Sequence, residues 1–239
     1  MKKFCSLLSG GKDSNYALYR ALENGWEPSC ILSIRPRQDY SWMFHTPLVD
    51  YTILQAEAMG LRERLVVAEV SGEKEKEVEE LLNILKHLKK EYDYDTIVVG
   101  ALASRYQYER IKRISEETDT EVYAPAWQMD PVEYMKLLVN KGFIFIITRI
   151  STYGLKPEIL GRPITSDLLD KILDSSKKYG FHPAFEGGEA ETLVVDAPHY
   201  RKKLCLKGSR ERRGPYNYDL RVEKIWLAEK DTADCIIID

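Results

Sequence analysis

The residues best equipped for chemistry stand almost at the amino terminus, in Ser9-Gly10-Gly11-Lys12-Asp13-Ser14. Two adjacent glycines let a main chain approach a ligand closely, and two serines and a lysine add hydroxyl donors and a positive charge. The apolar run Phe4 to Leu8 before them has the length of a buried strand. The segment Asn15 to Leu22 after them places Ala17, Leu18, Ala21 and Leu22 on one helical face. A loop between the carboxyl end of a strand and the start of a helix collects unpaired N–H groups and the positive end of the helix dipole, which makes an anion site. Asp13 or Ser14 is the expected cap of that helix. The spacing excludes a Walker-type phosphate loop, since no four residues separate a first glycine from Gly-Lys-Ser, and it is not a dinucleotide fingerprint either.

Three further stretches carry candidate groups. Met43-Phe44-His45-Thr46-Pro47 lies in a long polar and aromatic segment, Arg35 to Leu48, that leaves the second expected strand. His45 is read either as a surface or packing residue or as a ligand contact. Gly100 to Arg110 leaves the most apolar strand, Thr96 to Gly100, and opens a helix. There Ser104 and the helix start suit a second anion, and Arg105 or Arg110 can offset phosphate charge; the plain alternative is an exposed helix start with solvated arginines. Phe185 to Thr192 sets Glu186, Glu189 and Glu191 around Gly187 and Gly188. Such carboxylates repel one another unless a cation lies among them, so a bound organic cation, a magnesium ion or simple solvation are all open.

The elements that must position these groups alternate strand and helix through Tyr123: strands at Ser29–Ile34, Leu65–Val70, Thr96–Gly100 and Glu121–Tyr123, with helices at Asp50–Met59, 73–92 and Ala103–Thr118. Apolar strands alternating with helices predict a doubly wound parallel α/β sheet with ligands at its carboxyl ends. Val78, Leu81, Leu82, Leu85 and Leu88 form an apolar stripe, read as core rather than as a partner-binding coil. From about residue 129 the pattern changes to helices at Pro131–Asn140, after Asp130 as cap, and Ser166–Tyr179, with strand-like runs at 143–150, 193–195, 203–206, 221–227 and 235–238. The expected division is 1–128 and 129–239, the second a smaller mixed α+β domain.

The 239 residues can bury a core in each of two such domains; 44% are apolar and 31% charged, as in a soluble globular protein. A net charge of -3 argues against bulk electrostatic binding of nucleic acid. Arg210, Arg212, Arg213 and Arg221 are read as a solvated hairpin in preference to a docking patch. Cys5, Cys30, Cys205 and Cys235 form no C-x-x-C pair and predict reduced thiols in a cytoplasmic protein rather than disulfides or zinc. No signal peptide and no membrane-length apolar run is expected.

The glycine loop resembles the SGGxDS loop of the ATP pyrophosphatases, whose sheet is of the adenine nucleotide alpha hydrolase-like type. Together with MFHTP at Met43–Pro47, the run Val98 to Arg110 and EGGEAET at Glu186–Thr192, the chain resembles the diphthine–ammonia ligases within that group. That resemblance implies ATP-dependent amidation, by free ammonia, of the diphthine carboxylate on translation elongation factor 2, through an acyl-adenylate with release of AMP and pyrophosphate. It implies that Ser9, Gly10, Gly11, Lys12, Asp13 and Ser14 bind the phosphates, with Asp13 also meeting Mg²⁺. It places adenine at the main chain of Ser33 and Ile34, adds His45, Gly100, Ser104, Tyr106 and Gln107 to the nucleotide site, and gives Lys12, Asp13 and Ser104 the catalytic positioning. Glu186, Gly187, Gly188, Glu189, Glu191 and Thr192 would then meet the substrate; beyond the resemblance itself, the three carboxylates together with an aromatic side chain are read as a pocket for its trimethylammonium group. A tRNA-modifying pyrophosphatase and a non-catalytic ATP sensor are the competing readings. The former suits neither the unpaired cysteines nor the acidic charge balance.

Overall fold

The computed structural model describes residues 1–37, 49–73, 76–233 and 235–239. The chain divides into two compact units, one of residues 1–57 and 61–128, the other of 129–239 with Ala58–Gly60.

The first unit is a parallel five-stranded sheet in the order β3-β2-β1-β4-β5, formed by β1 (Lys3–Leu7), β2 (Glu27–Pro36), β3 (Leu65–Val70), β4 (Thr96–Val98) and β5 (Glu121–Tyr123). The connecting helices are α1 (Lys12–Glu23), α2 (Val49–Met59), α3 (Lys76–Glu91) and α4 (Arg105–Glu117). Alternation along the strands decides what each face covers. Cys5, Cys30, Leu32 and Ile34 join the buried stripe Val78, Leu81, Leu82, Leu85 and Leu88 of α3 and Ile111 and Ile114 of α4 in one apolar cluster. The α3 stripe is therefore core. The buried face of α1, with Ala17, Leu18 and Ala21, shares none of that cluster and covers the other side of the sheet.

Chain order moves outward from β1 to β3 on one side and then crosses to β4 and β5 on the other. The reversal falls between β1 and β4, and a doubly wound sheet leaves its ligand crevice at the carboxyl ends of those strands.

The second unit is a mixed sheet in the order β10-β8-β9-β6-β7, from β6 (Ile144–Ser151), β7 (Ala190–Asp196), β8 (Lys203–Arg212), β9 (Asn217–Ala228) and β10 (Ile236–Ile238). All its pairings are antiparallel except β10 with β8. Its helices are α5 (Pro131–Asn140) and α6 (Ser166–Tyr179). Asp130 caps α5 as expected, accepting the N–H groups of Val132 and Glu133 at 2.9 Å each. Gly180 ends α6 in the left-handed conformation, φ 76°.

Two expectations are corrected. Asp13 and Ser14 do not cap α1: the helix begins at Lys12 and its N-cap is Gly11, with no side-chain cap hydrogen bond. The turn at Gly10, φ 90°, brings the chain into helical geometry two residues earlier than the polar side chains suggested. Nor are all four cysteines reduced: Cys205 and Cys235 form a disulfide, Cα–Cα 4.4 Å. The parallel register Ile236 to Leu206 sets the preceding residues side by side, although thirty positions separate them in sequence. Cys5 and Cys30 are buried thiols on registered positions of β1 and β2, and burial first, then the hydrogen bond with Cys30, pushes the Cys5 thiol well above its ordinary range.

Candidate active site

The glycine loop occupies the end of β1 at the reversal point. Ser9 and Ser14 close it: their hydroxyls lie 3.1 Å apart, the Ser9 N–H donates to Ser14 Oγ at 3.2 Å, and Ser14 Oγ donates to Gly11 O at 3.2 Å. The Lys12 ammonium, 4% exposed, is paired with the Asp13 carboxylate at 2.8 Å. The loop thus gathers a left-handed glycine, a helix start without a side-chain cap, one buried ammonium and one carboxylate that is 24% exposed. This set suits the phosphates of a nucleotide: oriented N–H groups and a lysine for the anion, and Asp13 for a nucleotide-borne cation. Among the described residues no group of three or more His, Cys, Asp or Glu could hold a metal ion. Magnesium carried on phosphates needs only one or two protein carboxylates, so Asp13 fits that role.

Gly100, just past β4, completes the loop from across the crevice. A Cβ built on it would lie 2.4 Å from both the Asp13 carbonyl carbon and the Ser14 nitrogen. Its lack of a side chain therefore lets the exit of β4 meet the first turn of α1.

Behind the loop lies a set of braces that sequence reading missed. Gln55 of α2 donates from Nε2 to Gly10 O at 2.9 Å. Thr52 Oγ1 donates to Ser33 Oγ at 2.9 Å, and Ser33 Oγ in turn to Leu8 O at 2.8 Å. Asn15 Nδ2 and the Asn15 N–H both reach Gly11 O, at 3.0 and 3.2 Å. Thr52, Gln55 and Asn15 are fully buried. A signal existed: Thr52, Gln55, Ala56 and Met59 share one buried helical face, so two polar side chains interrupt an apolar stripe and need partners.

Ser33 is thus a structural hydroxyl, and any adenine contact at Ser33 and Ile34 falls to the main chain. The register of β2 with β1 stops at Leu32, whereas β2 continues to Pro36 paired with β3. Ser104 caps α4, its Oγ accepting the Gln107 N–H at 3.4 Å. The guanidinium carbon of Arg110 stands 3.3 Å from the centroid of the Tyr106 ring, and Arg110 also donates to Tyr106 O at 3.2 Å. Next to this segment Gln128, at φ 62°, donates its N–H to Leu102 O at 2.8 Å. His45, with the rest of Met43–Pro47, lies outside the described residues.

In the second unit the acidic loop is organised from within. Glu189 accepts the His182 N–H on Oε1 and the Gly187 N–H on Oε2, both at 2.8 Å. His182 Nδ1 accepts from the N–H groups of Ala184 and Glu186, at 3.2 and 3.4 Å. Phe185 takes φ 65°, a left-handed turn just ahead of Glu186-Gly187-Gly188. Of the three glutamates, Glu191 meets a cation of the protein's own, Arg149 of β6, which lies 3.2 Å from Glu191 and 2.8 Å from Asp219. Partial burial works against its charge, but the hydrogen bond with Asp219 and the two carboxylates outweigh that and raise its pKa. Thr192 is buried at the start of β7.

The arginine run is a hairpin, as expected. Arg213 pairs with Glu211 at 2.8 Å and Asp219 at 3.2 Å, and Arg221 with Glu211 at 3.3 Å. Among the described residues no helix is long and apolar enough to cross a membrane.

The fold is a parallel α/β sheet of the ATP pyrophosphatase type, followed in the chain by a second mixed domain. Family models for the diphthamide synthase N-terminal and C-terminal domains match residues 1–121 and 130–230. The chain belongs to the diphthamide synthase family. Relatives named diphthine–ammonia ligase include those of Bos taurus, 30% identical with 87% of this chain and 84% of the relative covered, and Danio rerio, 31% identical with 84% of each covered. The Mus musculus relative is 30% identical, over 95% of this chain and 93% of its own. These relatives are ligases, and ATP use fits the family. A solved structure described as a predicted subunit of tRNA methyltransferase from Methanocaldococcus jannaschii aligns at 18% identity and a TM-score of 0.43, covering 83% of this chain and 98% of that one. At that score the likeness has no bearing on function.

Proposed function

We propose that this protein amidates the carboxylate of diphthine on translation elongation factor 2, using ATP and free ammonia. In this reading the first unit, residues 1–128, is the ATP-binding domain and the second, 129–239, receives the substrate; the reaction runs in the cytoplasm. A carboxylate is a poor electrophile toward ammonia. Attack of its oxygen on the α-phosphorus of ATP expels pyrophosphate and leaves an acyl-adenylate. Ammonia then adds to the acyl carbon, the acyl C–O bond breaks with its electron pair leaving on the phosphate oxygen of AMP, and the nitrogen loses a proton to give the amide.

The chain's own residues do the holding. Gly10 and Gly11 bring main-chain N–H groups to the β and γ phosphates, Ser9 and Ser14 fix the loop around them, and Lys12 balances their charge. Asp13 would hold Mg²⁺, which supplies further neutralisation of the departing pyrophosphate. Ser104 and the start of α4 offer a second dipole to the anion. Catalysis of this kind consists of positioning and charge stabilisation, without a covalent enzyme intermediate.

The single observation that carries the reading is the seat of the glycine loop at the reversal point, closed by Gly100, in a chain matched by both family domain models. The test is to incubate the protein with ATP, ammonia and diphthine-bearing factor and follow AMP. AMP that depends on the factor and on ammonia is the expected result. AMP that depends on tRNA instead would establish a tRNA-modifying enzyme, and ATP binding with no AMP under any condition would establish a sensor.

A further inference from the structure

Three tyrosines with no role in the scheme above stand together on the second unit. Tyr153, Tyr216 and Tyr179 are 58%, 52% and 40% exposed. They come from three places: the turn after β6, the β8–β9 connection and the last residue of α6. Tyr153 meets both neighbours at nearly a right angle, with ring centroids 4.9 Å and 79° from Tyr179 and 5.1 Å and 77° from Tyr216. Single exposed aromatics are ordinary, but a contiguous exposed group marks a place where something binds.

The turn that carries Tyr153 is firmly built. Ser175 Oγ donates to Gly154 O at 2.6 Å. Gly154, at φ 100°, lies so close beneath Tyr179 that a Cβ there would be 2.5 Å from a ring carbon. The group also continues the acidic loop, because the Ser151 N–H donates to Glu189 O at 2.8 Å, two residues before Tyr153.

Ring faces are electronegative and attract cations. The Lys178 ammonium already stands 5.1 Å from the Tyr179 centroid. A quaternary ammonium has no N–H to donate, so hydrogen-bonding carboxylates give it little beyond charge. Of the nearby carboxylates, Glu189 is occupied by two main-chain N–H groups and Glu191 by Arg149. We propose that Tyr153, Tyr179 and Tyr216 form the seat for the trimethylammonium group of diphthine. This inference rests on the proposed function, and it moves the cation from the glutamates to the aromatic rings beside them.

The test uses the full chain and two independent readouts. In steady-state AMP formation, Tyr153→Leu and Tyr216→Leu raise KM for diphthine-bearing factor about fivefold, the upper size of a cation–π contact at an exposed site, and leave KM for ATP and kcat within twofold. Tyr153→Phe and Tyr216→Phe keep the ring face and behave as the parent. In the second readout, choline shifts the tyrosine ring resonances in nuclear magnetic resonance titrations, while its uncharged isostere 3,3-dimethylbutan-1-ol does not. Leucine variants with the parent KM, rings indifferent to choline, or a KM effect that tracks a change in oligomeric state would overturn the seat. Choline-responsive rings in a protein that makes no AMP with the factor would uphold the seat and overturn the ligase assignment instead.

Discussion

Gly100 and Ser14 approach each other so closely that a methyl group on the first would sit 2.4 Å from the amide nitrogen of the second. This contact joins β4 to the glycine loop. Gly100→Ala therefore forces the first turn of α1 away from the crevice. The expected outcome is an ATP affinity lowered at least tenfold by calorimetry, with about 1–3 kcal/mol of stability lost to overpacking. Unchanged ATP affinity in a folded Gly100→Ala protein would separate this contact from nucleotide binding.

Gln55 reaches Gly10 O from α2 without being part of the loop. Gln55→Leu keeps the side-chain bulk and leaves that buried carbonyl without this donor, a cost of about 1–3 kcal/mol. KM for ATP should rise while KM for the protein substrate stays constant. Asparagine at 55, too short to reach, should not restore it.

Glu189 fastens the turn from His182 to Gly187 with both carboxylate oxygens. Glu189→Ala removes two charge-assisted hydrogen bonds at a partly exposed site, so about 1–3 kcal/mol is expected after solvent screening. Thermal unfolding should show the second domain melting earlier with ATP binding by the first intact. Glu189→Gln retains one acceptor and should fall between the two.

His199 sets a pH limit. Burial first, then the nearby positive charge of Lys230, lowers its pKa from 6.5 to about 3. Between those values the unfolded chain binds a proton that the folded chain refuses, so this contribution is complete above pH 6.5 and is lost as pH falls toward 3. The loss is at most about 1.4 kcal/mol per pH unit. Denaturant midpoints measured from pH 7 to pH 4 should fall, and His199→Phe, which cannot titrate, should flatten the slope. An equal slope in both proteins would assign the acid sensitivity elsewhere.

The strands around the glycine loop were legible because each is a short apolar run stopped by glycine or proline, and because glycines mark close approaches whatever lies opposite. The start of α1 was misread because polar side chains after the glycines look like caps, whereas the positive φ of Gly10 had already turned the chain. Gln55 and Thr52 were not recognised as braces, since which carbonyls they meet depends on α2 lying over β1 and β2, and no local pattern encodes that. The partners of the acidic loop were not legible either: Glu191 pairs with Arg149, which lies on a neighbouring strand far upstream in sequence, and Glu189 with main-chain N–H groups. Cys205 and Cys235 were brought together in the same way, by strand register rather than by spacing. The long β8 and β9 were underestimated at their charged ends, where a solvated hairpin carries no apolar alternation.

The pairing of Phe4 with Thr96 has a consequence for biosynthesis. The glycine loop leaves the ribosome almost a hundred residues ahead of the strand that props it. Closing so long a segment is entropically demanding and slow compared with local helix formation. Nascent chains halted before Gly100 should therefore display the loop without gripping nucleotide, so that the capacity to bind arrives as a late event in maturation.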